Sequence, residues 1–139
     1  MRAKIIVKRL VKEEDLPVIN GWLRARGLRE VEEDGVPNAG FICFEGGEPV
    51  CAAFLRRCEG GVGIIEGMTS NPDMPGDVRH TALDVLVITL CKQASELEMT
   101  KVLAWTVDNS TLTRSARHGF QKLPQTLLAK DLRSVPLAN

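Results

Sequence analysis

The sequence predicts an α+β domain built on a mixed β-sheet, and three features lead to this prediction. Residues 39–69 hold short runs of Val, Ile, Phe and Cys separated by Gly-Gly turns, a pattern typical of antiparallel strands. Residues 78–99 repeat apolar side chains at helical spacing, and residues 101–106 form a further strand-like run. An antiparallel half followed by a strand–helix–strand unit is expected of an α+β fold.

Two elements are predicted before the antiparallel segment. Ile5 and Val7 are spaced like the inner face of a first strand. A helix is predicted to follow, capped by Asp15, with Pro17 in its first turn and Gly27 at its end. This order places a strand and a helix ahead of the hairpins.

Residues 39–69 are predicted to form three strands joined by tight turns at residues 45–49 and 59–61. The Gly-Gly pairs in these turns could also suggest phosphate-binding loops. Each pair lies between two strands, however, whereas a phosphate-binding loop joins a strand to a helix, so hairpin turns are favoured. Cys43 and Cys51 are expected to lie close across the first hairpin, as thiols in a reducing cytosol.

The helix predicted over residues 78–99 carries an apolar stripe wide enough to be buried against a sheet. Its members are Leu83, Leu86, Val87, Leu90, Ala94 and Leu97, widened by Ala82 and Val85. Trp22 and Trp105 lie within apolar patterns of their own and are predicted to be core residues.

The last third of the chain is predicted to hold a short helix and two extended segments. Asn109 is a side-chain type that caps helices, and Gly119 is placed to end this one. Residues 120–123 and 126–132 are expected to be extended, with a break at Pro124 between them.

Length and charge exclude several classes of protein. The 139 residues fit a single domain, 1–139, and carry 18 basic and 18 acidic side chains, so no net field favours nucleic acid or an anionic membrane. No apolar run approaches the ~20 residues that span a bilayer, and the basic start at Met1 lacks a signal-peptide core, which predicts a cytoplasmic protein. The four cysteines lack the spacing of a zinc site, so no metal is expected.

Four segments resemble the GNAT family of acyl-CoA-dependent N-acetyltransferases. Asp15-Leu16-Pro17 is similar to the entry of the family's first helix, residues 63–69 to its fourth strand and residues 79–84 to its cofactor loop. Asn109 through Gly119-Phe120 resembles the signature of its last helix. The resemblance implies a mixed, mostly antiparallel central sheet of six to seven strands flanked by three to four helices, with splayed fourth and fifth strands.

The same resemblance implies that acetyl-CoA binds as cosubstrate between the splayed strands. Strand-four backbone groups would hold the pantetheine arm, and amides at the start of the long helix would hold the pyrophosphate, because a helix N-terminus offers free N–H donors. The residues that would contact acetyl-CoA are Met68, Thr69, Ser70, Arg79, His80, Thr81, Ala82 and Asn109.

The sequence departs from the family pattern at the cofactor loop and on the last helix. Ala82 and Asp84 stand where the family usually has a glycine and a second small residue. Asp84 is expected to repel the pyrophosphate, and Asp77 to compete for the same N–H groups. Ser115 stands where many members have a tyrosine that protonates the departing thiolate, and this chain contains no tyrosine. The resemblance gives Ser115 the place of that acid.

Glu66 lies where the family often has a carboxylate that removes a proton from the substrate ammonium. An amine attacks a thioester only when it is neutral, so such a base has a real task. The residues alone leave two interpretations open, because Glu66 could equally point to solvent from its strand.

The leading expectation is acyl transfer from acetyl-CoA to a primary amine of a small molecule or a protein. The alternative is a catalytically inactive GNAT-like binding or structural protein. Residues 71–83 together with His118-Gly119-Phe120 also resemble GNAT-like proteins of tailed bacteriophages. A homodimer is a further expectation from the resemblance.

Overall fold

This computed structural model describes residues 4–106 and 108–133. The central element of these residues is one mixed sheet. Its five strands are β1 (Ile5–Arg9), β2 (Gly40–Glu45), β3 (Glu48–Arg57), β4 (Val62–Ser70) and β5 (Lys101–Ala104). The helices are α1 (Lys12–Ala25), α2 (Gly76–Glu96) and α3 (Asn109–Arg117), with short 3-10 turns at Glu33–Gly35 and Glu59–Gly61. The basic start at Met1 lies outside the described residues.

The strands lie in the order β1-β2-β3-β4-β5, antiparallel from β1 to β4 and parallel between β4 and β5. The three predicted hairpin strands are confirmed. Gly46 and Gly47 form the first turn with φ of 57° and 82°, which glycine adopts without steric penalty. Cys43 and Cys51 are register partners as predicted, and both are free thiols.

One face of the sheet is covered by α1. Leu16, Ile19 and Trp22 of α1 belong to one buried cluster with Ile42 and Phe54 of the sheet. Trp22 is therefore a core residue, as predicted. This packing fixes α1 over β2 and β3, next to the face that carries part of the candidate site.

The opposite face of the sheet is covered by α2, because successive strand residues alternate between faces and Cys43 follows Ile42. The Cys43 thiol donates to the carbonyl of Ala82 at 3.7 Å. Hydrogen bonding with Cys51 lowers the pKa of Cys43, although burial acts in the other direction. The buried residues of α2 follow the predicted stripe and are Ala82, Leu86, Val87, Leu90 and Ala94.

The predicted start of α1 is wrong by four residues, since the N-cap is Val11 and not Asp15. The helix begins at Lys12, and the carboxylate of Asp15 reaches back to accept from the Val11 N–H at 2.7 Å. Asp15 therefore accepts a hydrogen bond from the N–H of the cap residue while lying inside the helix itself. Pro17 lies in the second turn. An aspartate can serve a helix start from either position, so its presence alone does not fix the first residue.

The cap predicted for α3 is also wrong by one residue. Asp108 is the N-cap, and its carboxylate accepts from the Thr111 N–H at 2.9 Å and the Ser110 hydroxyl at 2.7 Å. These hydrogen bonds, from Ser110 first and then Thr111, lower the pKa of Asp108. Asn109 is instead the first helical residue, because the neighbouring aspartate competes for the same N–H groups. Gly119 follows the helix end as predicted, with φ of 86°.

The predicted count of six to seven strands is wrong for the described residues, which form five. Residues 120–133 form no strand, and Leu128 there is 86% exposed. An apolar run becomes a strand only with a partner edge, and Pro124 lacks the N–H for such pairing. Trp105 was predicted to be a core residue but is 51% exposed, because it lies just beyond the end of β5.

The chain divides into two compact units, residues 1–107 and residues 108–139. The sheet, α1 and α2 belong to the first unit, and α3 belongs to the second. Within the described parts of both units, no helix combines the length and the apolar character needed to cross a bilayer.

Candidate functional site

The two parallel strands pair over only part of their length. The β4–β5 register runs from Val62 opposite Lys101 to Ile65 opposite Ala104, and β4 then continues to Ser70. Within the described residues, no strand pairs with the β4 edge from Glu66 onward. The second half of β4 therefore has an edge that no described strand pairs with, as expected for splayed fourth and fifth strands.

Some backbone groups of β4 point toward this unpaired edge. The Asn71 N–H donates to the Val50 carbonyl at 2.7 Å on the β3 side. Backbone polar groups alternate between the two edges of a strand, so those of Ser70 and Met68 face the opposite, unpaired edge. Thr69, opposite Ala52 in the register, turns its backbone groups toward β3.

A bulge at Gly67 sets this alternation. In the register, Phe54 opposes Glu66 and Ala52 opposes Thr69, so β4 has two residues where β3 has only Ala53. Gly67 has φ of 67°, as in bulges that place a left-handed glycine first. A Cβ added at Gly67 would lie 3.0 Å from the Phe54 ring.

Replacing Gly67 by alanine is expected to lower the free energy of unfolding by about 2–3 kcal/mol. A left-handed conformation costs an L-residue roughly 1–2 kcal/mol, and the close ring contact adds to it. Gly27→Ala is the matched control, since Gly27 has φ of 68° and nothing within 4 Å of an added Cβ. Urea unfolding of both variants measures the difference; equal losses would show that the Phe54 contact is unimportant.

The N-terminus of α2 presents three unpaired amides. The helix begins at Gly76 after Pro75, and no side chain caps it. The first helical hydrogen bond runs from the Arg79 N–H to the Pro75 carbonyl at 3.0 Å. The N–H groups of Gly76, Asp77 and Val78 consequently make no hydrogen bond with residues 4–106 or 108–133. Such a helix start favours an anion through its free donors and its dipole.

Two arginines lie at this helix start. The Arg79 guanidinium folds back beside Gly76, with Nη2 3.8 Å from the position of an added Cβ, and its Nε is buried without a partner in the described chain. Arg26, at the end of α1, donates to the Ser70 carbonyl, and its Nη2 lies 3.1 Å from the Ser70 hydroxyl. Partial burial, and then the positive charge of Arg79, lowers the pKa of Arg26. An anion between the two guanidinium groups would relieve this repulsion.

The residues of the predicted cofactor loop lie inside α2. Ala82 is fully buried under the sheet, and His80 and Thr81 follow the first hydrogen-bonded N–H of the helix. Asp84 lies eight residues after Gly76, about 12 Å along the axis at a rise of 1.5 Å per residue. The predicted capping by Asp77 is not present, since no side chain caps α2. The free amides therefore lie several residues earlier than the sequence match indicated.

Glu66 is held by Arg56 in a bidentate ion pair. Its carboxylate accepts from the Arg56 Nε at 2.9 Å and from Nη2 at 2.6 Å. The Glu66 and Arg56 side chains are 28% and 44% exposed. Hydrogen bonding with Glu66 raises the pKa of Arg56. Glu66 is thus an oriented, solvent-accessible carboxylate that lies directly after the last β4–β5 register pair.

The segment between α1 and β2 forms a wall beside this pair. The Lys12 ammonium donates to the carbonyls of Glu33 and Val36 and to the Asn38 side chain at 2.8–3.0 Å. Arg56 Nη2 also approaches the Gly35 carbonyl at 3.4 Å. A cleft of about 460 Å³ lies between this segment and the end of β3.

The second unit carries the other two predicted site residues. Asn109 begins α3, where its carbonyl accepts from the Thr113 hydroxyl at 3.0 Å. Ser115 lies in the last turn of α3, and its carbonyl accepts from the N–H of Phe120 at 2.9 Å. The functions expected for Asn109 and Ser115 remain predictions.

Comparison with solved structures identifies the fold. A Mycobacterium tuberculosis protein, solved in complex with CoA and NLQ, superposes with a TM-score of 0.71 at 21% identity, covering 89% of this chain and 76% of its own. The chain has the GNAT fold. A Trypanosoma brucei acetyltransferase shares the fold with a TM-score of 0.67 at 17% identity, over 91% of this chain and 99% of its own.

A third GNAT-fold match is N-acetylglutamate synthase from Neisseria gonorrhoeae, solved with coenzyme A and L-arginine. Its TM-score is 0.65 at 19% identity, over 89% of this chain and 30% of its own. No protein-family model and no curated protein matches the sequence. The resemblance predicted from the sequence is therefore confirmed at the level of the GNAT fold.

Besides the backbone amides of residues 76–78, two side chains of the site were missed by sequence reasoning. Arg26 contacts Ser70, 44 residues later, and no local motif marks that contact. Arg56 was not singled out either, although its position ten residues before Glu66, across a predicted hairpin, is compatible with cross-strand pairing. Among the described residues, no group of three His, Cys, Asp or Glu side chains could hold a metal ion.

Proposed function

We propose that the protein is an acyl-CoA-dependent N-acyltransferase that moves an acetyl group from acetyl-CoA to a primary amine of a small molecule or a protein. The observation that carries the proposal is the open start of α2, with three free amides and two guanidinium groups beside the unpaired edge of β4. Solved structures that share the GNAT fold contain coenzyme A.

The described residues fit acetyl-CoA in both charge and hydrogen bonding. Free amides of Gly76, Asp77 and Val78, with Arg26 and Arg79, would hold the diphosphate. The buried Nε of Arg79 lacks a partner, which a phosphate oxygen would supply. Backbone groups of Met68 and the N–H of Ser70 would pair with the amide-bearing pantetheine arm, in place of a strand, while the Ser70 carbonyl accepts from Arg26. Four of the residues expected to bind acetyl-CoA would then lie beside the site without contacting the cofactor: Thr69, His80, Thr81 and Ala82.

Acetyl-CoA supplies an acyl group activated as a thioester. Glu66, directly or through a water, would remove one proton from the acceptor ammonium and so leave a neutral nucleophile. An N–C bond then forms at the acyl carbon and the C–S bond breaks; the second nitrogen proton ends on the CoA sulfur, and Glu66 returns its proton to solvent. The Met68 backbone N–H, if turned to the thioester oxygen, would stabilise the charge that develops there.

Two roles in the second unit complete the proposal and come from the GNAT resemblance. Asn109 would steady the cofactor arm, and Ser115 would take the place of the family's tyrosine by orienting a water toward the departing sulfur. A thiolate is a good leaving group, so the transfer does not depend on a strong acid at Ser115.

Calorimetric titration with acetyl-CoA tests the proposal, with Gly76→Pro as the informative variant. The change removes one free amide, and it suits the helix, since proline is favoured at the first helical position and Pro75 already has ψ of 147°. Acetyl-CoA affinity is expected to fall about tenfold, the value of one hydrogen bond to a charged group, while the melting temperature stays unchanged.

Gly76→Ala is the matched control, because it keeps the N–H and its Cβ meets only the Arg79 side chain at 3.8 Å. Wild-type affinity is expected for this control. Absence of any binding heat with the unmodified protein would overturn the proposal and favour the inactive GNAT-like alternative.

A further inference from the structure

The Arg56–Glu66 pair lies where an acceptor would meet the donor. Glu66 opposes Phe54 in the β3–β4 register, so both side chains point to the sheet face covered by α1. Arg56 follows Phe54 by two residues and points to the same face. Glu66 is also the first β4 residue beyond the last pair with β5. The pair therefore lies at the point where the unpaired edge of β4 begins.

The Arg56 guanidinium has a second edge that faces no acid. Its Nε and Nη2 atoms hold Glu66, while Nη1 makes no hydrogen bond with the described residues. Nη2 has one further contact, at 3.4 Å to the Gly35 carbonyl, which is long for a hydrogen bond. The Nη1–Nη2 edge is consequently left as a fork of donors that matches the two oxygens of a carboxylate. The side chain is 44% exposed, so this edge is accessible.

The cleft beside Arg56 is positively charged. Among its lining side chains, Lys12, Arg56 and Arg57 are basic and only Asp34 is acidic. Lys12 donates to two backbone carbonyls and an amide oxygen, so its charge is not neutralised by those partners. A volume of about 460 Å³ falls within the range of small-molecule sites. This field favours an acceptor that carries an anionic group and disfavours a polyamine.

We propose that the acceptor is a free α-amino acid bound as a zwitterion. The Nη1–Nη2 edge of Arg56 binds the acceptor carboxylate, and Glu66 receives the ammonium group that is to be acylated. One residue pair thus provides a cation and an anion side by side, the complement of an amino acid's own two charges. The inference rests on the proposed N-acyltransferase activity and adds the class of the acceptor.

Acceptors offered in matched pairs test the inference. The standard L-amino acids are incubated with the full chain and acetyl-CoA, alongside amines that lack only the carboxylate, such as leucine against 3-methylbutylamine and lysine against cadaverine. Mass spectrometry measures the N-acetylated products. The preferred amino acid is expected to have a kcat/KM at least about tenfold above its decarboxylated partner, since a charge-assisted contact is lost.

Arg56→Gln is expected to raise KM for that amino acid about tenfold more than KM for the decarboxylated amine, because only the amino acid loses a carboxylate contact. Arg56→Lys keeps the charge without the fork and is expected to fall between. Arg24→Gln is the matched control, because it also breaks an Arg–Glu pair, Arg24 with Glu30 at 2.5 Å, whose members do not line the cleft. Thermal melting shows whether each variant is folded.

Calorimetry with acetyl-CoA separates the two proposals. If acetyl-CoA binds but only carboxylate-free amines are acetylated, or no amino acid is acetylated, the acceptor inference is overturned while the donor site stands. An equal rise in KM for both members of a pair in Arg56→Gln would also overturn it, since the arginine would then act only on structure. Absence of acetyl-CoA binding would remove the activity itself.

Discussion

Replacing Arg26 and Arg79 together by glutamine is expected to weaken acetyl-CoA binding about thirtyfold, or ~2 kcal/mol, with each single change contributing about fivefold. Both guanidinium groups lie at the start of α2, and the charge of Arg79 contributes to the lowered pKa of Arg26. A diphosphate between them would replace mutual repulsion by charge-assisted hydrogen bonds. Isothermal titration of the two single variants and the double variant measures these losses.

The double variant should discriminate between donors that differ in charge. S-acetylpantetheine carries the thioester and the pantetheine amides but no diphosphate. It is expected to bind more weakly than acetyl-CoA, and with the same affinity to wild type and to Arg26→Gln/Arg79→Gln. Higher ionic strength should reduce the wild-type preference for acetyl-CoA, because part of it is Coulombic. A loss that is equal for both donors would indicate damage to the site rather than loss of a phosphate contact.

Arg29→Gln is the matched control for these variants. Arg29 is an exposed arginine three residues after Arg26, and its replacement removes one positive charge from the same region of the surface. Wild-type affinity is expected for this variant. An equal loss in Arg29→Gln would show that acetyl-CoA responds to net charge alone, which would contradict a built diphosphate site.

Features fixed by neighbours in sequence could be predicted from the sequence. The Gly-Gly pairs predicted two hairpin turns, because glycine tolerates the positive φ that such turns need. In the structure Gly46, Gly47, Gly60 and Gly61 all have positive φ. The stripe predicted from Leu83 to Leu97 locates the buried face of α2, although Leu83 is only half-buried and Leu97 lies just past the helix end. These elements in turn made the GNAT resemblance recognisable.

The start of α2 could not be located from local signals. The sequence predicted that Asp84 would repel the pyrophosphate and that Asp77 would compete for its N–H groups, but the helix begins at Gly76, eight residues before Asp84. Asp84 lies six to eight residues after the free amides, about 9–12 Å along the helix axis, and Asp77 leaves them uncapped. The distance between a carboxylate and a helix end depends on the first helical residue, which shifts easily by several positions.

Contacts between segments distant in sequence could not be predicted either. Arg26 reaches Ser70 only because α1 packs across the sheet and ends beside the end of β4. Glu66 could be assigned to a strand, but its bidentate partner depends on the β3–β4 register that continues from the Glu59–Gly61 turn. Tertiary packing decides which of these side chains meet. The spacing rules for a single helix or strand therefore cannot predict such pairs.

Glu66→Gln is expected to lower kcat about a hundredfold at pH 7 and to leave acetyl-CoA affinity unchanged, because general-base catalysis contributes about 10²–10⁴-fold. Glutamine keeps the shape of the side chain and one acceptor oxygen for Arg56, so the local structure is retained. Steady-state rates of N-acetylation and calorimetry with acetyl-CoA measure the two quantities separately.

The pH dependence distinguishes a base from a residue that only positions Arg56. The pH profile is measured with an alkylamine acceptor, whose ammonium has a pKa of about 10.4 and is almost fully protonated at pH 7; its neutral fraction rises about tenfold for each pH unit below that value. A base is needed less as the acceptor loses its proton unaided, so the ratio of wild-type to Glu66→Gln rates should shrink steadily between pH 7 and pH 10. Arg56→Gln provides the comparison, since it releases Glu66 without removing the carboxylate and should show a ratio that is independent of pH. A constant ratio for Glu66→Gln would assign the residue to positioning alone and leave proton removal to solvent.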